Sequence, residues 1–199
     1  VKRIAPEAAP SKDVWDVIAL RDGDAVVGAA ECPEDSELVL ITSDAHLLKF
    51  PASAVRPQGR GAAGMAGIRT AEAARVVGFS VVPEGADASV VTVAGSGSTV
   101  ATAKVTPLHE FPAKGRGTGG VRCQRLLKGE TAIIAATAAA DPAACNAAGA
   151  SVPLPEPDDR RDASGQPVSS RLAHVGGGIP PWAVAAPDPA LDTTSSVPE

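Results

Sequence analysis

One eight-residue pattern occurs twice in this chain and constrains its fold more than any other feature. Residues 58–65 read QGRGAAGM and residues 114–121 read KGRGTGGV, a separation of 56 residues. Apolar runs flank both copies at comparable distances, so each copy belongs to a larger repeated unit. A period of about 50 residues is typical of propellers and other repeat architectures.

Each unit reads as four short strands separated by turns. Clusters of Val, Ile and Leu at residues 38–41 and 90–93 mark strands, and turn residues occupy 21–24, 42–44, 83–85, 95–98 and 128–130. The chain has no Tyr and only three Phe, so its core must be built from aliphatic side chains. No segment before residue 135 has helical periodicity with caps. The sequence therefore predicts an all-β, propeller-like fold with blades of about four strands.

The repeat also predicts how the chain is divided. We expect the end of a preceding blade or a linker at residues 1–14, a blade with the first loop at 15–75 and a blade with the second loop at 76–131. A degenerate final blade at 132–178 and a disordered, Pro/Ala-rich tail at 179–199 follow. The alanine run at 135–150 fits either a short helix or a degenerate strand, and residues 171–175 fit a closing strand.

Charge is distributed unevenly along the chain. The net charge is −5, yet residues 49–128 hold eleven basic and four acidic residues, whereas residues 1–48 hold four basic and ten acidic ones. Since distant charges are screened at physiological ionic strength, a locally basic block can attract phosphate whatever the global sign.

The glycines of the two loops fit the pattern G-x-G-x-x-G, which also occurs in dinucleotide-binding turns. That pattern must follow a strand and open a helix, but here strand-like sequence follows both copies. Glycine permits positive φ in a tight connection, and it lets a polyanion approach backbone N–H groups beside an Arg that pairs with phosphate. The loop glycines are Gly59, Gly61, Gly64, Gly115, Gly117 and Gly120.

The amino-acid sequence around the loops resembles that of a known family. The segments ITSD at 41–44, VRPQGRG at 55–61 and FPAKGRG at 111–117, each loop preceded by a Lys-apolar-Pro strand end, are similar to the C-terminal domains of the A subunits of DNA gyrase and topoisomerase IV. The resemblance covers about residues 1–135. It implies a β-pinwheel whose basic rim binds, bends or wraps duplex DNA without sequence specificity and delivers a segment to the cleavage core of a bacterial type II topoisomerase.

The resemblance has further implications and one departure. It implies that the full enzyme uses ATP and Mg²⁺ and that an ATPase B subunit is a partner through the full-length A subunit. It also implies no cofactor in this chain and a cytoplasmic, nucleoid-associated protein. Gyrase carries a box of the form Q-R-R-G-G-K-G, whereas each loop here keeps one basic residue at its centre. That departure resembles topoisomerase IV and favours a decatenating type.

The basic residues of the central block are the predicted DNA contacts, and the two loop arginines are the leading ones. The alternative is a propeller-like protein-interaction module without DNA binding, in which the glycine loops are only corners. The predicted contacts are Lys49, Arg56, Arg60, Arg69, Lys104, Lys114, Arg116, Arg122 and Arg125.

No catalytic or metal site is predicted in this chain. Type II cleavage needs a tyrosine nucleophile, and the chain contains no Tyr. The three His residues are scattered, the three Cys residues lack a chelating spacing, and no hydrolase or Walker motif is present. A small β-barrel hydrolase is a third interpretation, but the sequence displays no polar pocket for it. No 18-residue apolar run or secretion signal occurs, which favours a cytoplasmic protein.

Overall fold

The computed structural model describes residues 1–5, 16–59, 61–96 and 102–177. The regular elements of these residues are β-strands and two three-residue 3-10 turns, Ala52–Ala54 and Leu108–Glu110, so the all-β prediction is confirmed. The strands are β1 (Ser36–Thr42), β2 (His46–Pro51), β3 (Val76–Pro83), β4 (Ser89–Gly95), β5 (Thr102–Pro107), β6 (Val121–Arg122), β7 (Ala132–Ala139), β8 (Pro142–Cys145), β9 (Gln166–Pro167) and β10 (His174–Gly177).

Two antiparallel four-stranded sheets share one design. The first sheet has the order β3-β1-β2-β6 and the second has the order β7-β4-β5-β9, while β8 and β10 form a third, two-stranded sheet. The short outer strand of each large sheet, β6 or β9, comes from the unit that follows along the chain. Each sheet is thus completed by its neighbour.

The sheets draw strands from both sides of the predicted blade boundaries. β3 begins at Val76 and pairs along its length with β1, and β7 begins at Ala132 and pairs with β4. The reason is that β3 and β7, the long outer strands of the two sheets, each follow a glycine-arginine loop in sequence. The boundaries at 75/76 and 131/132 therefore separate strands that are hydrogen-bonded to each other.

Alternation along the strands divides the aliphatic residues between separate clusters. Val39 and Ile41 face the second sheet, whereas Leu38 and Leu40 pack on the opposite face of the first. This is the period of two expected of a strand that is buried on both faces. Burial of each such side chain contributes roughly 1.5–3 kcal/mol, so the stacked sheets hold the loops between them in place.

The alanine run forms strands and not a helix. The second half of β7 and the whole of β8 lie in this run. Gly78 of β3 faces Ala136 so closely that an added Cβ would lie 2.8 Å from the Ala136 carbonyl oxygen. A Cβ on Gly177 of β10 would lie 2.2 Å from the Ala139 Cβ. Sheets that approach this closely require small side chains, and strand pairing overrides the weak β-propensity of Ala. β10 begins at His174, so it shares only His174 and Val175 with the closing strand predicted at 171–175. The predicted tail at 179–199 lies outside the described residues.

Candidate nucleic-acid interface

The second loop, residues 114–121, lies against the edge of β2. The backbone N–H of Lys114 donates to the Lys49 carbonyl at 2.9 Å, and Val121 pairs with Leu47 in the β2–β6 ladder. Gly120 has a φ of 71°, and a Cβ there would lie 2.3 Å from the Leu47 carbonyl oxygen. Both the backbone conformation and the close approach therefore require glycine at this position.

The first loop, residues 58–65, is held in the same way by residues 1–5. The Gln58 N–H donates to the Arg3 carbonyl at 2.9 Å, and the Met65 N–H donates to the Val1 carbonyl at 2.8 Å. Gly64 has a φ of 91°, and its added Cβ would lie 2.7 Å from the Val1 carbonyl oxygen. The N-terminal residues thus occupy the place that β2 has beside the second loop.

The remaining loop glycines are of two kinds. Gly117 has a φ of 81°, so its backbone conformation favours glycine. A Cβ on Gly59 or Gly61 would meet no atom within 4 Å, and one on Gly115 would meet only Thr118, at 3.9 Å. Packing does not require glycine at these three positions. Their effect is to leave the main chain of the loops accessible.

Arg116 is turned back toward the preceding unit. Its Nε donates to the Ala54 carbonyl at 3.0 Å, and its Nη1 donates to the Ala66 carbonyl at 2.6 Å. The Gly117 N–H donates to the Gly67 carbonyl at 2.6 Å beside it. Arg116 therefore joins the second loop to the unit that carries the first loop. A guanidinium has five N–H groups, so a phosphate contact would use those that remain. Arg60 lies outside the described residues.

Five predicted contacts have exposed side chains, and most of them surround the second loop. The Arg69 N–H donates to the Thr118 carbonyl at 3.0 Å, so Arg69 lies directly beside this loop. Arg56 follows two residues after Ala54, which accepts from Arg116. Residues 45–71 and 111–129 contain no Asp or Glu. The five exposed residues are Arg56, Arg69, Lys114, Arg122 and Arg125.

Lys49 and Lys104 lie in the interior, so they are not available as DNA contacts in this structure. Lys49 is 9% exposed, and its Nζ lies 3.3 Å from the Glu37 carboxylate. Lys104 is 3% exposed and donates to Thr106 Oγ1 and, at 3.3 Å, to the Arg161 carbonyl. Burial lowers the pKa of Lys104 from its ordinary value. Their strand positions turn both ammonium groups inward, where the Lys49 ammonium faces Glu37 and the Lys104 ammonium faces the underside of the third loop.

Sequence reasoning missed a third loop, residues 159–166, which reads DRRDASGQ. It lies against β5 as the second loop lies against β2: Gln166 pairs with Ala103 in the β5–β9 ladder. The Arg125 N–H donates to the Ala163 carbonyl at 3.0 Å, matching the bond from Arg69 to the second loop. A Cβ on Gly165 would lie 2.4 Å from Thr102 Oγ1. The third unit therefore retains the loop.

One sequence signal could have revealed this loop. Arg60, Arg116 and Arg161 each stand four residues before a glycine, namely Gly64, Gly120 and Gly165. The signal was obscured because the third loop keeps only the last of the three glycines.

Among the described residues, no three His, Cys, Asp or Glu side chains cluster as metal ligands. No helix in the same part of the chain is long and apolar enough to cross a membrane.

Comparison with known proteins agrees with this architecture. Residues 36–83 and 101–137 match the family described as the DNA gyrase C-terminal domain, beta-propeller. The crystal structure of the C-terminal domain of DNA topoisomerase IV superposes with a TM-score of 0.67 at 24% identity, covering 80% of this chain and 52% of that one. The E. coli ParC C-terminal domain superposes with a TM-score of 0.61 at 15% identity, covering 80% of this chain and 67% of that one.

Relatives of known sequence point to the same family. The DNA gyrase A protein of Mycobacterium bovis is 37% identical over 106 residues, which are 52% of this chain and 12% of that protein. Its Pseudomonas aeruginosa counterpart is 31% identical over 119 residues, 60% of this chain and again 12% of the relative. The matched part thus spans about an eighth of these relatives. Residues 36–83 and 101–137 therefore match the gyrase-type C-terminal β-propeller domain, as the loops predicted, and the decatenating type stays a prediction.

Proposed function

We propose that this chain binds duplex DNA without sequence specificity and bends it around the rim formed by the loops. The observation that carries the proposal is the second loop. It is locked across two units by backbone hydrogen bonds, it is surrounded by exposed cationic side chains, and its segment of the chain contains no carboxylate. A rigid, acid-free cationic edge attracts phosphate and carries no groups directed at base edges.

The magnitude of this attraction is sufficient for bending. Smooth bending of 20–30 base pairs by 40–90° costs on the order of 1–6 kcal/mol. Charge-assisted hydrogen bonds contribute about 1.5–3 kcal/mol each, so a few phosphate contacts from the five exposed residues offset that cost. The log–log dependence of affinity on salt should then have a slope of about 0.9 for each phosphate contacted.

A salt titration tests the proposal. Fluorescence anisotropy with a 30-base-pair duplex should show affinity that falls steeply between 50 and 200 mM salt for two unrelated sequences alike. Replacing Arg69, Lys114 and Arg122 together by Gln should reduce the slope by about 0.9 for each phosphate that is no longer neutralised. Arg21→Gln is the control, because Arg21 is exposed in the acidic first segment, and the two variants are compared by the change in slope per charge removed. Affinity that is insensitive to salt, or a triple variant that binds like the control, contradicts the proposal and favours a protein-interaction propeller.

In its full-length context, we propose that the domain delivers a DNA segment to the cleavage core of a type II topoisomerase together with its B subunit. The similarity to gyrase A proteins supports this role. The full-length protein carrying the triple Gln variant, mixed with ATP and the B subunit, should cleave DNA at wild-type levels but pass strands more slowly. Unchanged strand passage would contradict the delivery role.

A further inference from the structure

We propose that the third loop is a disabled duplex-binding loop, so that bound DNA leaves the protein surface after the second loop. The carboxylate of Asp158, which directly precedes the loop, pairs with one arginine, and the loop's own carboxylates repel phosphate from the other. This inference rests on the proposed function and specifies where the bound path ends.

The position of the third loop is that of a DNA-binding loop. Like the second loop, it lies against the inner strand of the preceding unit, and, like both other loops, it has a glycine at its end that close packing requires. Arg160 and Arg161 are both exposed, and Arg161 stands where Arg116 stands in the second loop, four residues before that glycine. Position alone would therefore give this loop two phosphate contacts.

The chemistry of the third loop opposes that use. The carboxylate of Asp158 accepts from Arg160 Nε at 3.0 Å and from Nη2 at 2.9 Å, a bidentate pair. The backbone N–H of Arg160 donates to the same carboxylate at 2.9 Å. Hydrogen bonds from Arg160 lower the pKa of Asp158 to about 2. The carboxylate is therefore charged at every pH at which DNA is double-stranded.

Together with Asp158, which directly precedes the loop, two further carboxylates give this segment a net negative charge. Asp159 and Asp162 are exposed, whereas the corresponding positions of the first and second loops are Gln58 and Gly61, and Lys114 and Gly117. Residues 158–166 thus hold three acidic and two basic residues, while residues 114–121 hold two basic residues and no acidic one. A like-charge surface disfavours approach of the phosphate backbone.

A gain-of-function variant tests the inference. Asp159→Gln and Asp162→Gly give the third loop the residues of the first loop at those positions. Asp158→Asn releases Arg160 and keeps the Oδ1 acceptor that orients its backbone. We expect the triple variant to bind the duplex more tightly, with a salt slope steeper by about 0.9 to 1.8, as one or two added phosphate contacts predict. Its footprint on a long duplex should also be longer than that of the wild type.

The control matches the change in net charge. Glu84→Gln, Asp87→Asn and Asp141→Asn together remove three exposed carboxylates from turns between strands and leave the loops intact. If the loop variant gains no more than this control while the wild type binds DNA with a steep salt slope, the inference is overturned and the proposed function stands. If the wild type does not bind DNA, the proposed function fails and the inference fails with it.

Discussion

The joint between β2 and the second loop and the joint between β5 and the third loop have the same backbone geometry but different chemistry. Beside β2, the buried, apolar Leu47 lies under the second loop, and the outer surface is cationic. In the second joint, Gln124 and Thr102 lie under the loop, and the outer surface carries exposed aspartates.

The interior of the joint between β5 and the third loop is a chain of hydrogen bonds. Thr92 Oγ1 donates to Gln124 Oε1 at 2.6 Å, and Gln124 Nε2 donates to Thr102 Oγ1 at 3.3 Å. Thr102 in turn bonds to the Glu130 carboxylate. Buried polar groups stabilise a structure only when all of them have partners.

The comparison separates the part of the repeat that places the loops from the side chains to which DNA binding is ascribed in the proposal. The loops are placed by a terminal glycine and by backbone hydrogen bonds, which are common to all three. The side chains above and below the loops vary without moving them. A loop can therefore keep its position and lose its charge.

The largest effect is expected where that shared backbone geometry is broken. Gly120→Ala introduces a Cβ at positive φ and 2.3 Å from the Leu47 carbonyl oxygen. We expect a loss of about 3 kcal/mol in the free energy of unfolding, from backbone strain and overpacking together. Urea denaturation followed by circular dichroism measures it.

The control for this prediction lies in the same loop. Gly115→Ala adds the same atom where the nearest neighbour is 3.9 Å away and φ is not positive, so the change should be within about 0.5 kcal/mol. Equal losses for the two variants would show that the close approach at Gly120 does not place the loop.

An intermediate effect is expected from the polar interior of the joint between β5 and the third loop. Gln124→Met keeps the volume, but it leaves the Thr92 hydroxyl without its acceptor and removes one of the two hydrogen bonds of Thr102. This should cost about 2 kcal/mol. Gln58→Met in the first loop is the matched change. Gln58 Oε1 is buried and has no hydrogen-bond partner among the described residues, so its replacement should be neutral or slightly stabilising. Thermal denaturation of both variants distinguishes the bonded Gln124 from the unbonded Gln58 of the first loop, and similar Tm shifts would contradict the distinction.

The sequence predicted the fold well because the repeat and the strand alternation are local signals. Residues 38–41, for example, show a fully apolar run that is buried on both faces, as found. The partner of each outer strand could not be predicted, since β6 and β9 are two residues long and their pairing is fixed by the loop before them. A two-residue strand is too short to show the alternation of apolar and polar residues from which its pairing partner could be predicted.

The candidate site was predicted only in part, for a physical reason that Lys104 and Arg122 illustrate. Both are basic residues of the central block, yet Lys104 lies on a strand that is buried on both faces and Arg122 lies on an edge strand with an exposed side chain. Counting charge by segment cannot separate them, because inward or outward direction depends on the pairing of the strand. The role of Arg116 in bonding Ala54 and Ala66 is also a consequence of how the units stack.

The smallest effect is expected at the two interior lysines, which differ between the joints. Lys49→Met leaves the mostly buried Glu37 carboxylate without its ammonium partner and should cost about 1–2 kcal/mol at pH 7. Lys104→Met removes a buried charge whose hydrogen bonds go to neutral oxygens, so the missing bonds and the relieved burial should nearly cancel.

The pH dependence of the stability difference between the wild type and Lys104→Met provides the sharper test. Because burial lowers the pKa of Lys104 below 10.5, the folded protein binds fewer protons there than the unfolded chain between the lowered pKa and 10.5. The stability of the wild type relative to Lys104→Met should therefore rise with pH through that window and level off on either side. Denaturation of the wild type and the variant between pH 7 and pH 11 measures the difference, and a constant difference would show that Lys104 titrates as an exposed lysine.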